Sequence, residues 1–191
     1  MNNQIKNIHQ ELIDACRLND QKAQLKIYKL YYKAMYNSSY RILNSEFEAE
    51  DVMQEAFLDA FRKIAQYDGT ATFGAWLKKI VINKSIDALK KRKEITSLDE
   101  MDKLDITEEI EEDYFESISY KIEDIRICIE NLPEAYRLVL SLYLIEGYDH
   151  EEISQITGIS YNACRTKYSR ARQKLLSLLK QKKLSQSLKL N

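Results

Sequence analysis

Side chains that can hydrogen-bond to the edges of nucleic-acid bases are concentrated between residues 161 and 170. Asparagine, arginine and threonine make such bonds with particular bases, which is how many proteins read a sequence. Here they recur three or four residues apart, so a helix would place them on one face. That face contains Asn162, Arg165, Thr166 and Ser169, with Tyr161 and Arg170 at its margins. The spacing predicts a helix that reads bases.

Two short helices joined at Gly158 are predicted to hold this face in position. Asp149 can cap the first helix, with Glu152 as the second half of a capping box. Gly158 allows a tight turn, and Ser160 can cap the second helix. The buried side of the second helix consists of Cys164, Tyr168, Ala171 and Leu175. This pattern is typical of a helix-turn-helix, whose second helix enters the DNA major groove; a plain helical hairpin with a solvated basic face is the alternative.

The composition indicates an all-α chain with room for one or two small domains. Of 191 residues, 45% are hydrophobic, one is proline and four are glycine, which argues against a sandwich or a barrel. No apolar run approaches the ~20 residues that span a membrane, and the first residues do not resemble a signal peptide. We therefore expect a cytoplasmic protein without membrane insertion.

The sequence shows no pattern of residues typical of a metal site or of a catalytic site. Cys16, Cys128 and Cys164 are odd in number and far apart, which fits buried thiols in a reducing compartment better than disulfides. His9 and His150 have no ligand partner at metal spacing. The sequence has neither a glycine-rich phosphate loop nor a paired nucleophile and base. We expect no metal, no cofactor, no catalytic residue and no enzyme activity.

The net charge of −1 conceals three blocks of different charge. Residues 1–93 carry 16 basic and 11 acidic side chains, residues 94–121 carry 2 and 11, and residues 122–191 carry 11 and 8. Because residues 94–121 show little helical periodicity, we interpret them as a flexible acidic linker, with simple solubility as the alternative. The flanking blocks are predicted to be two small helical domains, 1–93 and 122–182, followed by a basic tail, 183–191, that frays.

The N-terminal domain begins with two predicted helices, residues 5–18 and 21–43. The apolar residues of the first lie near one face: Ile5, Ile8, Leu12 and Cys16. The second is rich in tyrosine, and we expect these rings to pack while their hydroxyls stay in water. They are Tyr28, Tyr31, Tyr32, Tyr36 and Tyr40.

A third helix is preceded by another capping-box pair, Ser45 and Glu48. Its broad apolar face is typical of a core helix: Val52, Met53, Ala56, Phe57, Ala60, Phe61 and Ile64. The opposite face holds Asp51, Glu55, Leu58 and Arg62. An apolar side chain among carboxylates indicates a docking site for a basic partner helix, although single exposed leucines are common.

A fourth helix carries one narrow polar stripe between two apolar ones. The Trp76 stripe, as we name it, consists of Trp76, Lys79, Asn83, Asp87 and Lys90. Aromatic rings stack on unpaired bases and lysines bind phosphates, so the stripe indicates contact with single-stranded nucleic acid. The alternative is that the tryptophan belongs to the core.

The C-terminal domain is predicted to begin with two further helices. In the first, Ile122, Ile125, Ile129 and Leu132 are roughly in phase. Pro133 suits the first turn of the next helix, which Gly147 ends. Its apolar face is expected to contain Tyr136, Leu140, Tyr143 and Leu144.

Taken together, these motifs resemble a bacterial RNA polymerase sigma factor of the extracytoplasmic-function (ECF) type, within the sigma-70 family. Region 2 of that family is similar to YKLYYKAMYNSSYRIL, AEDVMQEAFLDAFRK and TFGAWLKKIVINKSIDALKKRK. Region 4 is similar to NLPEAYRLVLSLYLIEGYDHEEISQITGISYNACRTKYSRARQKL. The resemblance covers about residues 10–93 and 122–180, and it implies a promoter-specificity subunit with no catalytic activity of its own.

The resemblance implies roles for particular residues of the N-terminal domain. One set would dock on the clamp helices of core RNA polymerase: Asp51, Gln54, Glu55 and Leu58. A second set would open and hold the promoter −10 element: Trp76, Lys79, Asn83 and Lys84. The turn at residues 67–71, with Asp68, Gly69 and Thr70, would capture a base flipped out of the duplex.

The resemblance also implies partners for the rest of the chain. The helix with Tyr161, Asn162, Arg165, Thr166, Ser169 and Arg170 would bind the duplex −35 element. The acidic linker would pass through the polymerase active-site channel, and the polymerase flap would contact the C-terminal domain. An anti-sigma factor would hold the protein inactive.

A rival interpretation uses only the C-terminal helices. It is a DNA-binding regulator with a sensory or dimerising N-terminal domain, which would bind palindromic duplex DNA without polymerase. The Trp76 stripe has no role in that interpretation.

Overall fold

The computed structural model describes residues 8–92 and 121–188, with side chains described through residue 185. These residues are helical with short connections and contain no strand, as the sequence predicts. They fall into two compact units, divided between Arg92 and Lys93. The segment that we interpret as a linker lies almost entirely outside the described residues. Within the described part of the chain, no helix combines the length and the apolar character needed to cross a bilayer.

The first unit is a bundle of four helices. They are α1 (Gln10–Arg17), α2 (Gln21–Leu43), α3 (Glu46–Arg62) and α4 (Phe73–Lys91), with a 3₁₀ turn at Ile64–Gln66. The three long helices pack on one another, and α1 packs on α2 and the 3₁₀ turn. Their shared core contains Ile27, Met35, Phe57, Phe73 and Leu77, all buried.

Side-chain caps set where these helices begin. Asp20 accepts hydrogen bonds from the backbone amides of Lys22 and Ala23 at the start of α2. Thr72 accepts one from Ala75 at the start of α4. Each cap satisfies an amide that has no partner within its helix, which fixes the register of the following apolar face.

Only half of the capping box predicted at the start of α3 is formed. Ser45 accepts a hydrogen bond from the amide of Glu48 at 3.4 Å. The Glu48 carboxylate pairs instead with Arg92 at the end of α4, which also donates to the carbonyl of Leu43. This contact joins the ends of α2, α3 and α4.

The second unit is built around one long helix. Its elements are α5 (Ile122–Glu130), α6 (Glu134–Leu140), a π-helical turn (Ser141–Ile145), α7 (His150–Thr157) and α8 (Tyr161–Leu188). Helix α8 packs against α5, α6 and α7. The core between them contains Cys128, Leu132, Tyr136, Leu140, Ala171, Leu175 and Leu179.

Four residues that we expected on apolar faces are exposed: Ile8, Ile122, Tyr143 and Leu144. Ile8 precedes the start of α1 and is 94% exposed, while Ile122 is the first residue of α5 and is 85% exposed. Leu144 is exposed because α6 widens into the π-helical turn, where the amide of Glu146 bonds to the carbonyl of Ser141. A π turn changes the residues per turn, so the α-helical phase no longer predicts which side chains face inward. Ile5 lies outside the described residues.

The end of α8 also differs from the prediction of a fraying tail from residue 183. The helix continues to Leu188, well past the last core contact at Leu179. An ion pair of 2.9 Å between Lys182 and Asp124 of α5 lies within this last part of the helix. We infer that this pair helps to hold the final turns in place.

Candidate nucleic-acid interface

The turn between α7 and α8 has the predicted geometry. Asp149 accepts a hydrogen bond from the amide of Glu152 at 2.8 Å, and the Glu152 carboxylate accepts one from the amide of Asp149 at 2.9 Å. Gly158 ends α7 with φ of 83°, in the left-handed region that glycine adopts without strain. Ser160 accepts a hydrogen bond from the amide of Ala163 and so caps α8. The capping box is therefore confirmed at α7.

Two side-chain hydroxyl groups make hydrogen bonds within the turn between α7 and α8. Ser154 donates to the carbonyl of Ile159 at 2.6 Å, and Thr157 donates to the carbonyl of Ile153 at 2.6 Å. The amide of Ile159 in turn donates to the Thr157 hydroxyl. These bonds tie α7 to the start of α8, so the angle between the two helices is fixed by the turn itself.

The two sides of α8 are as the spacing predicts. Cys164, Ala171 and Leu175 are buried, and Tyr168 is partly buried. The opposite side, which we name the reading face, consists of Tyr161, Asn162, Arg165, Thr166, Ser169 and Arg170. All six have solvent access, and Arg170 is the member that is partly covered.

Several members of the reading face already make contacts within the protein. The Thr166 hydroxyl donates to the carbonyl of Asn162 at 2.9 Å, so its proton is used within the helix, although the residue is exposed. The guanidinium of Arg165 lies 5.9 Å from the ring centre of Tyr161, within cation–π range. This contact restrains Arg165 before any ligand binds.

One charged residue of α8 was missed by the sequence analysis. Lys167 is only 2% exposed, although it lies between exposed Thr166 and partly buried Tyr168. Its position three residues after buried Cys164 was the available signal, because that spacing returns to the same side of a helix.

An aromatic cluster packs the π-helical turn, α7 and α8 together. Tyr143 stacks on His150 with ring centres 4.6 Å apart and also contacts Tyr168 at 4.5 Å. The Cys164 sulfur lies 3.7 Å from Nδ1 of His150. Burial raises the pKa of the Cys164 thiol, so it stays protonated and is a packing group at neutral pH. In the described parts of the chain, no three potential metal ligands come together.

The Trp76 stripe is exposed along α4, except for the tryptophan itself. Lys79, Asn83, Asp87 and Lys90 are all exposed. The indole of Trp76 is partly buried, with its ring centre 5.3 Å from that of Tyr67 and 5.5 Å from that of Phe73. The alternative that the tryptophan belongs to the core is therefore met in part, and its contact with nucleic acid stays a prediction.

The loop at residues 67–71 is held at both ends. Tyr67 is buried, and its hydroxyl donates to the carbonyl of Ala71 at 2.6 Å, while Arg17 donates to the Tyr67 carbonyl. Between them Asp68 accepts bonds from the amide and the hydroxyl of Thr70. The bond from the Thr70 amide is the main reason that the pKa of Asp68 is lowered. The loop thus holds the exposed Asp68 carboxylate between two anchored ends.

The outer side of α3 carries the residues assigned to docking. The docking face, as we name Asp51, Gln54, Glu55 and Leu58, is exposed throughout. Leu58 is 57% exposed. Gln54 donates to Glu50 one turn earlier at 3.3 Å, which orders the start of this surface.

Lys84 differs from the other residues that we assigned to DNA contact. It lies on the flank of α4 that faces α3, where its ammonium pairs with Glu55 at 3.2 Å and Asp59 at 3.0 Å. The hydrogen bond from Lys84 is the main cause that lowers the pKa of Asp59. Burial opposes the charge on Lys84, but the bonds to Asp59 and Glu55 outweigh it and raise its pKa.

These pKa shifts predict how stability depends on pH. A carboxylate whose pKa is lowered by folding stabilises the protein above its unfolded pKa, and this contribution is lost as pH falls through the folded pKa. We expect the difference in unfolding free energy between wild type and Lys84→Met to be full at neutral pH and to shrink below about pH 4. Urea unfolding across this range measures it. Lys79→Met, an exposed lysine of the same helix, should show no such trend, and equal trends would contradict the assignment.

Comparisons with known proteins match both units. A family model described as Sigma-70 region 2 matches residues 27–95, and one described as Sigma-70, region 4 matches residues 122–175. The first contains α3, the loop at residues 67–71 and α4, and the second contains the helix-turn-helix and the reading face.

Similar full-length proteins carry the same description. The chain is 32% identical to the ECF RNA polymerase sigma factor SigW of Bacillus subtilis, over 84% of this chain and 91% of that protein. It is 27% identical to the ECF RNA polymerase sigma-E factor of Escherichia coli, over 86% and 90%.

Two solved structures share the fold at low sequence identity. One is the sigma factor RpoE of Bartonella quintana in complex with the anti-sigma factor NepR, with a TM-score of 0.52 and 22% identity over 81% of this chain and 95% of that one. The other is CnrH in complex with the cytosolic domain of CnrY, with a TM-score of 0.51 and 22% identity over 88% and 95%.

Proposed function

Because the chain belongs to the ECF sigma factors of the sigma-70 family, we propose that its first unit recognises and melts the promoter −10 element and its second unit binds the −35 element. At the coarser level, it is a promoter-specific transcription initiation factor and not an enzyme. The rival interpretation as a regulator with a sensory domain is wrong, because the N-terminal half matches region 2.

The observation that carries the proposal is the pair of exposed polar surfaces, one in each unit, within the segments that match the family. The reading face lies on a helix that directly follows a turn closed by hydrogen bonds of Ser154, Thr157 and Ser160. The Trp76 stripe lies beside a loop held at both ends. Surfaces that are ordered before binding lose less conformational entropy on binding.

The reading face supports recognition of duplex DNA in the major groove. A helix-turn-helix places the first turns of its second helix against base edges. Asn162 can bond to N6 and N7 on the major-groove edge of adenine, and Arg165 can bond to O6 and N7 of guanine. The Thr166 methyl group can contact the methyl group of thymine, since its hydroxyl proton is bonded within the helix.

The Trp76 stripe supports capture of the melted −10 strand. Extruding a base costs a few kcal/mol, which stacking on an aromatic ring and hydrogen bonds to the base edge can offset. Trp76 would supply the stacking surface, while Asp68, Gly69 and Thr70 would bind the extruded base. Lys79 would bind the strand through its phosphates.

The docking face supports binding to core polymerase. Three of its members are polar or acidic, and Leu58 provides an apolar contact among them. A basic helix with an apolar ridge, such as we expect of the clamp helices, would fit both properties. We further propose that the second unit contacts the polymerase flap.

We also propose that an anti-sigma factor binds the free protein in the cytoplasm, where promoter DNA and polymerase are found. Both solved structures with the same fold are complexes with such a factor or with a cytosolic partner domain. The exposed docking face and Trp76 stripe would be the surfaces to cover, since covering them prevents initiation.

Run-off transcription tests the proposal. Core polymerase with this chain and a promoter library should give promoter-dependent transcripts, and core polymerase alone gives the background. Footprinting of the recovered promoters should show two protected elements, with strand opening at the downstream one. The proposal fails if the chain adds no transcript above the background.

Arg165→Ala is expected to weaken −35 binding by about 1–3 kcal/mol and to relax the preference at one base pair. The reason is that a bidentate contact to a base edge disappears. Competition binding of the holoenzyme to promoters with each base at that position measures it. Lys174→Ala removes an exposed charge farther along α8 and should leave the base preference unchanged. If Arg165→Ala weakens all sequences equally, Arg165 contacts only phosphate.

A further inference from the structure

Lys84 connects α4 to the docking face through two carboxylates. Its ammonium lies 3.2 Å from Glu55 and 3.0 Å from Asp59. These acids are four residues apart on α3, so they lie on one side of that helix and hold the ammonium between them. Arg62, 3.6 Å from Asp59, and Lys63 are the other cations near this pair.

The three residues differ in how far water reaches them. The side chain of Glu55 is 58% exposed, whereas those of Lys84 and Asp59 are 24% and 26% exposed. Glu55 is therefore accessible to another protein from outside, and Asp59 is its more covered neighbour. Lys84 itself directly follows Asn83 of the Trp76 stripe.

We propose that Lys84 couples polymerase docking to DNA binding. In the free chain, Glu55 and Asp59 hold the ammonium at the junction of α3 and α4. When a cation of the polymerase pairs with Glu55, Lys84 loses this carboxylate as a partner. The Lys84 ammonium then binds a phosphate of the −10 strand. The inference rests on the proposed function of the docking face and the Trp76 stripe, and it makes Lys84 a positioning residue for DNA only within the holoenzyme.

Exchanging a carboxylate partner of Lys84 for a phosphate requires little free energy. Partly exposed ion pairs contribute little net free energy, so replacing one carboxylate by a phosphate needs no large driving force. Lysine is a compact charge on a flexible chain and does not require a particular geometry from its partner. The coupling is reciprocal: polymerase binding raises the affinity for DNA, and DNA binding raises the affinity for polymerase. The reason is that DNA bound to Lys84 leaves Glu55 available to the polymerase.

Salt dependence in the free chain tests whether the two acids restrain Lys84. The probe is a fluorescent single-stranded DNA of mixed sequence and about 12 nucleotides. Each additional phosphate contact on a single strand steepens the slope of log K against log salt by about 0.7. We expect that steepening for the double variant Glu55→Gln, Asp59→Asn, and none when Lys84→Met is added to it.

Glu50→Gln is the matched control, because it removes an exposed charge of α3 that makes no contact with Lys84. It should leave the salt slope unchanged. The inference is overturned if the double variant keeps the slope of wild type, or if its slope steepens equally with Lys84→Met.

The holoenzyme provides the second measurement. Lys84→Met should weaken the complex of holoenzyme with a recovered promoter about fivefold or more, and it should weaken the binding of the free chain to the probe by a smaller factor. Lys84→Arg should restore that complex. A role that is only structural would lower both affinities by the same factor and would overturn the inference.

These outcomes separate the inference from the proposed function. If wild-type holoenzyme binds no promoter, the proposed function fails, while the salt slopes still show whether the acids restrain Lys84. If the holoenzyme binds promoters and Lys84→Met has no effect on that complex, the coupling is wrong and the proposed function stands.

Discussion

Trp76→Ala is expected to impair promoter opening strongly while the chain still binds core polymerase. Stacking of a base on an aromatic ring contributes about 1–3 kcal/mol, and the extruded base would lose its platform. The substitution also removes packing against Tyr67, which positions the loop at residues 67–71. We expect open complexes to fall about a hundredfold. Permanganate reactivity of thymines at the −10 element measures strand opening, and co-purification measures polymerase binding.

Trp76→Phe is the matched variant, because a smaller ring keeps an aromatic face and most of the contact with Phe73. It should retain a substantial part of the strand opening. If Trp76→Ala leaves permanganate reactivity intact, the indole belongs to the core and has no role in melting. A thermal scan of each variant shows whether a loss of folding accounts for the result.

The local chemistry of the helix ends could be predicted because it depends on neighbours in sequence. A capping box needs two residues three apart, and the bonds between Asp149 and Glu152 are present as expected. The turn at Gly158 needs a residue that tolerates positive φ, and it has φ of 83°. The two sides of α8 follow from helical spacing alone.

Features that depend on tertiary contacts could not be predicted in this way. Glu48 has the right spacing for a capping box, but a cation from the end of α4 pairs with its carboxylate. Leu144 has the right phase for the core, but the π-helical turn shifts it outward. Lys84 has the right type for a phosphate contact, but the acids that hold it come from a helix about 30 residues earlier in the chain.

The residues of the proposed −10 surface are of two kinds: some are placed by helical spacing alone, and others by tertiary contacts. Lys79 and Asn83 lie on the exposed side of α4, and the helical spacing of the sequence predicts this. Asp68 takes its position from the loop at residues 67–71, which Arg17 of α1 helps to hold, and the Trp76 ring packs against Tyr67 of that loop. Their geometry therefore depends on the packing of the whole first unit, and substitutions in α1 would reach the −10 surface indirectly.

Leu58→Asp is expected to give the largest loss of polymerase binding among single substitutions in the docking face. Leu58 is 57% exposed in the free chain, so replacing it costs little folding free energy. Against the apolar ridge of the proposed partner helix, the new carboxylate would be covered without a cation, and an unpaired buried charge costs about 3–5 kcal/mol. The affinity for core polymerase should fall a hundredfold or more. Competition against wild-type chain for a limiting amount of core polymerase measures it.

Phe47→Asp is the matched control, because Phe47 is an even more exposed apolar residue of α3 that lies outside the docking face. It should leave polymerase binding unchanged, and its thermal midpoint should be similar to that of Leu58→Asp. Loss of binding by both variants would mean that the partner covers a longer part of α3 than the docking face. Loss by Phe47→Asp alone would place the docking surface at the start of the helix and remove Leu58 from it. Such an interface would no longer include Glu55. No polymerase cation would then pair with Glu55, so the proposed coupling through Lys84 would be contradicted as well.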